Sequence, residues 1–192
     1  SIQSGSKDLA LGSTLADRDK KLLFNSGGMG YGLFPISTAE FDKFGQLSDL
    51  EKGSVLVNHF ENFLEGRPPH ALEYYSTLKK LLQSENNRLL SRLILSQIKT
   101  IHHSFLSDAQ RQQTQIETED LLWQQLLMQE KASDAKTFFK SFSALATSPS
   151  AIEKIDKVWS GKHQPEQLKL SENDYIALAE ILAIRQPQLA DK

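Results

Sequence analysis

The sequence predicts a mainly α-helical protein that begins with a short β-hairpin, and three observations lead to this prediction. From residue 37 onward, helix-capping residues and glycine or proline stops divide the chain into segments of helical length. Within those segments, apolar residues recur every three or four positions, as on the buried side of a helix. Before residue 37, a cluster rich in asparagine and glycine separates two short apolar runs.

The apolar runs are residues 22–24 and 31–34, with the cluster at 25–30 between them. Asparagine and glycine accept the backbone angles of tight turns between strands, so residues 20–36 are predicted to form a β-hairpin. The Ser- and Gly-rich residues 1–19 are predicted to be a flexible segment. An isolated hairpin is marginally stable. The hairpin is expected to be the end of a larger sheet. Without that sheet, its apolar face and its edge must be covered by the first helices or by a second copy of the chain.

Helix starts are indicated by serine followed three residues later by an acidic or amide residue. In this capping-box spacing the serine oxygen accepts a free helix N–H, and the second side chain reaches back to the serine N–H. The spacing occurs at Ser37/Glu40, Ser48/Glu51, Ser107/Gln110 and Ser171/Asp174. Further starts are predicted at Pro68-Pro69, Ser133 and Ser148-Pro149, and stops at Gly45, Gly66, Gly161 and Pro187.

One helix, within residues 85–106, is predicted to lie inside the array. Its apolar stripe is Leu90, Ile94, Ile98, Ile101 and Phe105, widened toward a second face by Leu89 and Leu93. A helix that is apolar on more than one side packs between neighbours, so the first four residues of the stripe should be almost fully buried. The preceding helix carries a stripe of its own at Leu72, Tyr75, Leu78 and Leu82.

Roughly seven or eight helices joined by short connections should form antiparallel pairs, because short links make neighbours in sequence neighbours in space. Residues 37–192 are therefore predicted to be one helical domain, an irregular α-superhelix of HEAT- or armadillo-like helix pairs. No fixed repeat period is visible in the sequence, which is why the superhelix is expected to be irregular.

Composition limits the partners of the chain. The 22 Lys and Arg residues and 24 Asp and Glu residues give a net charge of −2, without a basic block, so nucleic acid is not an expected partner. No apolar run approaches the ~18 residues of a membrane span, so the chain is expected to be soluble, without a membrane partner. The absence of cysteine excludes disulfides and thiolate zinc sites, and leaves the localisation open between cytoplasmic and exported.

No catalytic, cofactor-binding or metal-binding residue is predicted. The five histidines are His59, His70, His102, His103 and His163. Adjacent rings at His102 and His103 point about 100° apart on a helix and cannot share a metal as an i, i+4 pair does. Each histidine is therefore interpreted as a surface or half-buried structural residue. The glycines of residues 25–32 turn between strands, which argues against a phosphate loop, and the acidic stretch 116–120 is interpreted as a solvated helix face.

The order of several short motifs resembles one enzyme family. Asn25, Gly30 and Tyr31 are similar to the N-x-G-x-x-G-[YF] signature of the gluzincin aminopeptidases of the aminopeptidase N and puromycin-sensitive type. In that family the signature lies late in a β-sandwich domain and leads into a C-terminal helical domain. The following R-x-S-L-I-x-D-x-F segment resembles residues 52–60, which include Lys52 and Ser54. A G-x-L turn and a Y-L-x-x-E helix end resemble residues 66–68 and 81–85, which end on Glu85.

The resemblance implies a non-catalytic C-terminal helical domain of a zinc metallo-aminopeptidase, with residues 20–36 as the remnant of the β-sandwich domain. Such a domain packs on the catalytic domain of the same polypeptide and helps to enclose the chamber for peptide substrates. Zinc would be held by the HExxH motif of that catalytic domain, which this chain does not include. Lys52 and Leu81 replace the usual arginine and tyrosine. Gln83 stands where some members place a basic residue that binds the peptide's C-terminus, so that role does not carry over.

The alternative is a stand-alone helical-repeat scaffold that binds another protein in its groove. The hairpin favours the aminopeptidase interpretation, because an adaptor has no use for the remnant of a sheet. A third possibility, an independent metal-dependent hydrolase, fails on the number of available ligands.

Overall fold

The computed structural model describes residues 32–34 and 37–185, and these are mainly α-helical, as the sequence predicts. The described helices are α1 (Ala39–Asp42), a 3-10 helix (Phe44–Gln46), α2 (Asp49–Leu64), α3 (Ala71–Ser84), α4 (Arg88–Ser104), α5 (Asp108–Leu127), α6 (Ala132–Leu145), α7 (Pro149–Trp159) and α8 (Glu172–Arg185). The predicted flexible segment lies outside the described residues, and so does most of the predicted hairpin. Its described part, residues 32–34, is not in a strand.

Local capping chemistry determines where several helices begin. At α2, Ser48 Oγ accepts from Glu51 N and Glu51 Oε2 accepts from Ser48 N at 2.8 Å, which completes the predicted capping box. The same reciprocal pair forms between Ser107 and Gln110 at α5. Ser148 caps α7 by accepting from the N–H of Ala151. These side chains satisfy N–H groups that have no partner inside their own helix.

Three predicted starts differ from the structure. Ser37 does not cap α1: the helix begins at Ala39, and its N-cap Thr38 makes no side-chain cap hydrogen bond. Ser133 does not cap α6: the helix begins at Ala132, its N-cap Lys131 makes no side-chain hydrogen bond, and Ser133 Oγ donates to Asp134. Pro68 and Pro69 precede α3 instead of lying in its first turn, because the helix begins at Ala71. In all three places the serine or proline predicts the region of the helix start but not its first residue.

The helices α2 and α4 lie side by side and run in the same direction. Leu90 packs against Gly53 near their N-termini, and the Phe63 and Phe105 rings meet near their C-termini, with centroids 4.7 Å apart. Between these contacts, Gln97 Nε2 donates to the carbonyl of Leu56 at 3.1 Å. The connecting helix α3 must therefore run antiparallel to both.

The next helices repeat this arrangement. Arg88 and Arg92 of α4 contact Asp134 and Thr137 of α6 in matching order, so α4 and α6 are also parallel. In the other set, α3 contacts α5 through Tyr75 to Thr118 and through Gln83 to Gln125. Alternate helices thus form two layers, with α2, α4 and α6 in one and α3 and α5 in the other.

The core lies between these layers, and α4 contributes most of the predicted stripe. Leu90, Ile94, Ile98 and Ile101 are 6%, 0%, 1% and 0% exposed, as predicted. The last stripe residue, Phe105, is 40% exposed, and Leu89, which was expected to widen the apolar side toward a second packed face, is 74% exposed. Leu89 lies on the outward side of the first turn, and Phe105 follows the last residue of the helix. In α3, Tyr75, Leu78 and Leu82 are buried and Leu72 is half-buried.

Candidate functional site

Two residues of the family-like motifs, Lys52 and Glu85, form an ion pair although 33 positions separate them. Lys52 lies in the first turns of α2 and Glu85 directly follows α3. Lys52 Nζ is 3.1 Å from Glu85 Oε2, and the two side chains are 16% and 4% exposed. Because both charges are largely removed from water, each depends on the other for its stabilisation.

The same corner fixes the start of α4. Glu85 Oε1 accepts the N–H of Asn87 at 2.7 Å, and Asn87 Oδ1 accepts the N–H groups of Leu89 and Leu90 in the first turn of α4. The Asn87 amide nitrogen also donates to Asp49 Oδ2 at 2.6 Å. The four residues Asp49, Lys52, Glu85 and Asn87, here called the α2/α4 joint, tie the α3–α4 loop to the N-terminus of α2.

The remaining motif residues lie away from this joint or outside the residues that the structure describes. Ser54 is half-buried on α2, more than one turn after Asp49 of the joint. Gln83 lies exposed at the end of α3, and its carbonyl accepts from Gln125 Nε2 at 3.4 Å. Asn25, Gly30 and Tyr31 lie outside the described residues, so the hairpin part of the motif stays a prediction.

A cleft of about 410 Å³ adjoins the joint. It lies between the α3–α4 loop and the α5–α6 loop, over a floor that includes the buried side chains of Leu95 and Phe138. Arg88 Nε pairs with Asp134 Oδ1 at 2.8 Å within its lining. The lining residues are Gln83, Glu85, Asn86, Arg88, Ser91, Arg92, Leu95, Gln125, Met128, Gln129, Glu130, Lys131, Asp134, Thr137 and Phe138. Charges of both signs make the cleft suited to a polar polypeptide segment more than to a simple anion.

An apolar surface covers the outward side of the layer that contains α2 and α4. Leu50, Val57 and Leu64 recur every seven residues along α2 and therefore share one side of that helix. They are 65%, 46% and 45% exposed, and Leu89, in the first turn of α4, is 74% exposed. These four residues are here called the outer face, and the three on α2 lie opposite its core side, where Val55, Leu56, His59 and Phe63 are buried.

Two histidines are buried, which corrects their interpretation as surface or half-buried residues. His59 is fully buried, with its Nε2 3.2 Å from Glu40 Oε2 and its ring 4.0 Å from the Phe41 ring. Burial lowers the pKa of His59 to about 4. His102 is 4% exposed, and its Nδ1 lies 3.3 Å from the Tyr75 hydroxyl. Burial lowers the pKa of His102 to about 4, helped by the positive charges nearby, so both rings are neutral at pH 7.

The acidic stretch 116–120 contains a buried carboxylate that the sequence interpretation missed. Glu119 is 2% exposed, and its Oε1 accepts the backbone N–H groups of Thr147 and Ser148 at 2.7 and 3.0 Å. Burial raises the pKa of this carboxyl, but the hydrogen bonds from Ser148 and Thr147 outweigh that effect and lower it overall. The partners lie 28 and 29 residues away, so no local signal identified this site.

Within residues 32–34 and 37–185, no group of three or more potential metal ligands is assembled. In the same described part of the chain, no helix is long and apolar enough to cross a membrane. Comparisons with protein-family models, with curated proteins and with solved structures found no match to this chain.

Proposed function

We propose that this chain is the C-terminal helical domain of a zinc metallo-aminopeptidase, which packs on the catalytic domain of the same polypeptide and helps to enclose the peptide-substrate chamber. The observation that carries the proposal is the α2/α4 joint. Lys52 and Glu85 come from two separate motifs of the sequence resemblance, and they meet in one partly buried ion pair. Motif positions that contact each other across 33 residues are more informative than the same letters taken singly.

The arrangement of the helices supports the same proposal. Successive helices alternate between two layers, and the helices within one layer run parallel. This arrangement is expected for an irregular α-superhelix of HEAT-like helix pairs. The outer face leaves exposed apolar side chains on α2 and α4, which the end of a preceding domain, residues 20–36, would cover. The cleft beside the joint offers polar and charged side chains to a polypeptide segment at the wall of a chamber.

The chemistry would then belong to the catalytic domain of the parent protein. A catalytic zinc needs three protein ligands and one open position. This chain would supply no ligand, and would act by shaping the chamber and excluding water from it.

The test uses the purified chain and the full product of its gene. The chain alone is expected to hydrolyse no aminoacyl chromogenic substrate and to retain no stoichiometric zinc. The full gene product is expected to cleave such substrates and to lose this activity with a chelator. Chelator-sensitive turnover by the chain alone, abolished by replacing one of its five histidines, would contradict the proposal.

A second candidate is a stand-alone helical scaffold that binds a protein segment in the cleft. The mixed charges of the cleft lining favour it, because they suit a polar polypeptide. A gene product that lacks any metal-binding domain, and a partner captured only while Arg92 and Lys131 are intact, would favour this candidate.

A further inference from the structure

We propose that the outer face is the docking surface for residues 22–31 of this same chain. The proposal names an intramolecular partner for an apolar surface, and it does not rest on the proposed aminopeptidase function. It starts from three observations: where the described chain enters the fold, how far the preceding residues reach, and which side chains they carry.

The chain enters the fold beside α2. The carbonyl of Phe34 accepts a hydrogen bond from Asn62 Nδ2 at 2.9 Å, and the same amide nitrogen also donates to the carbonyl of Asn58 within α2. The Asn62 amide is 2% exposed, so this anchor is firmly packed. Residue 34 is therefore held against the second half of α2.

The outer face lies within reach of that anchor. Val57 and Leu64 are five and two residues from Asn62 along the helix, which is less than ~8 Å along its axis at 1.5 Å per residue. The far side of a helix is only ~10 Å away. An extended chain spans ~3.3 to 3.6 Å per residue, so the residues before Phe34 need only a few positions to pass over Val57 and Leu64.

The side chains of the segment suit an apolar surface. Residues 22–34 contain no charged residue. Their large apolar members are Leu22, Leu23, Phe24, Met29, Tyr31, Leu33 and Phe34. The outer face offers exposed leucine and valine side chains, and burying these two apolar surfaces against each other removes both from water.

Residues 22–31 are covalently connected to the fold, and this connection favours them over a second copy of the chain as the occupant of the outer face. A segment anchored at residue 34 meets the outer face at a high effective concentration, whereas a second copy must first associate. The anchor lies on the core side of the same helix, about one helix diameter from the outer face, and the segment is long enough to pass around α2, so the intramolecular contact is favoured.

The test exploits the absence of cysteine from the chain. In the full chain, Val57→Cys is combined in turn with Phe24→Cys and with Met29→Cys. The control replaces Val57→Cys by Ile116→Cys, on α5 in the other layer and 66% exposed. Under mild oxidation, at least one Val57 pair is expected to form an intramolecular disulfide about tenfold faster than the matching control, as a raised effective concentration predicts.

Two outcomes would overturn the proposal. Equal disulfide rates in the Val57 and Ile116 pairs would show that the segment prefers neither surface, and disulfide-linked dimers would assign the outer face to a second copy. Amide hydrogen exchange gives an independent reading in the full chain. Val57→Asp should remove the protection of residues 22–31, whereas Ile116→Asp should preserve it, and the same protection in both variants would contradict the docking.

Discussion

The ammonium group of Lys52 lies 3.1 Å from the carboxylate of Glu85, across the corner where the α3–α4 loop meets α2. Lys52 also lies 5.6 Å from the centre of the Phe44 ring, so the 3-10 helix before α2 is part of the same corner. The pair therefore connects three parts of the chain that local sequence preferences do not bring together. Removing this ion pair should therefore lower the stability of the whole first half of the fold.

Replacing Glu85 tests this connection. Glu85→Ala leaves Lys52 without its partner and Asn87 N–H without its acceptor, so the free energy of unfolding should fall by about 1 to 3 kcal/mol. Lys52→Arg keeps the charge and should cost less than about 1 kcal/mol. The control is Asp120→Ala, which breaks a more exposed pair with Lys154 and should change stability by less than about 0.5 kcal/mol. Urea unfolding measures all three, and equal small effects would show that the joint contributes nothing.

The buried stripe of α4 gives a prediction about packing. Ile98 is 1% exposed between the two layers, and Ile98→Ala should lower the free energy of unfolding by about 2 to 5 kcal/mol, because the deleted atoms leave a cavity. Ile116→Ala removes the same atoms from a side chain that is 66% exposed, and should cost less than about 0.5 kcal/mol. If the two variants unfold at the same urea concentration, α4 does not lie inside the array.

The lowered pKa of Glu119 predicts how the stability of the fold changes at acidic pH. The folded state lowers the pKa of this carboxyl below its ordinary 4.5, so its contribution is complete above pH 4.5 and is lost as the pH falls through the lowered value. The stability difference between the parent chain and Glu119→Gln should therefore be constant from about pH 7 to 5 and shrink below about pH 4.5. The exposed Glu130→Gln serves as the control for removing a carboxylate. A difference that stays constant down to pH 3 would show that the charge of Glu119 is unimportant.

His102 predicts a second pH dependence, with a separate window. Burial lowers its pKa to about 4, with His103, Arg111 and Arg185 acting in the same direction and Glu119 opposing them. Between about pH 6.5 and 4 the unfolded chain binds a proton that the folded chain does not, so stability should fall as the pH falls through this window.

The measurement for His102 is the slope of unfolding free energy against pH. His102→Gln should reduce that slope between pH 6.5 and 4 and leave the part that His59 contributes, although it also lowers stability by disturbing the contact with Tyr75. His163→Gln, at an exposed position, controls for the loss of an imidazole. An unchanged slope in His102→Gln would contradict the neutral, buried state of this ring.

Local patterns in the sequence predicted the helices better than they predicted the contacts. The capping boxes at Ser48 and Ser107 were correct because all their partners lie within three residues. Ser133 was wrong because its hydroxyl donates to the neighbouring Asp134, while the helix begins one residue earlier. A single sequence does not show whether a serine side chain will cap a helix or bind the side chain next to it.

The remaining errors concern contacts between distant residues. Glu119 was assigned to solvent because its stretch is acidic, yet its partners Thr147 and Ser148 lie in the connection between α6 and α7. Leu89 was expected to widen the apolar side of α4 toward a second packed face, yet it is 74% exposed and belongs to the outer face. The ion pair of Lys52 and Glu85 was not predicted either, because its two residues lie 33 positions apart.

The most direct test of the proposed function is the coding sequence upstream of Ser1 in its gene. The account predicts an open reading frame that continues upstream through a catalytic domain, with an HExxH motif and a downstream glutamate, followed by a β-sandwich domain that ends on residues 20–36. A reading frame that begins at or close to residue 1, or an upstream region without a metal-binding motif, would contradict it.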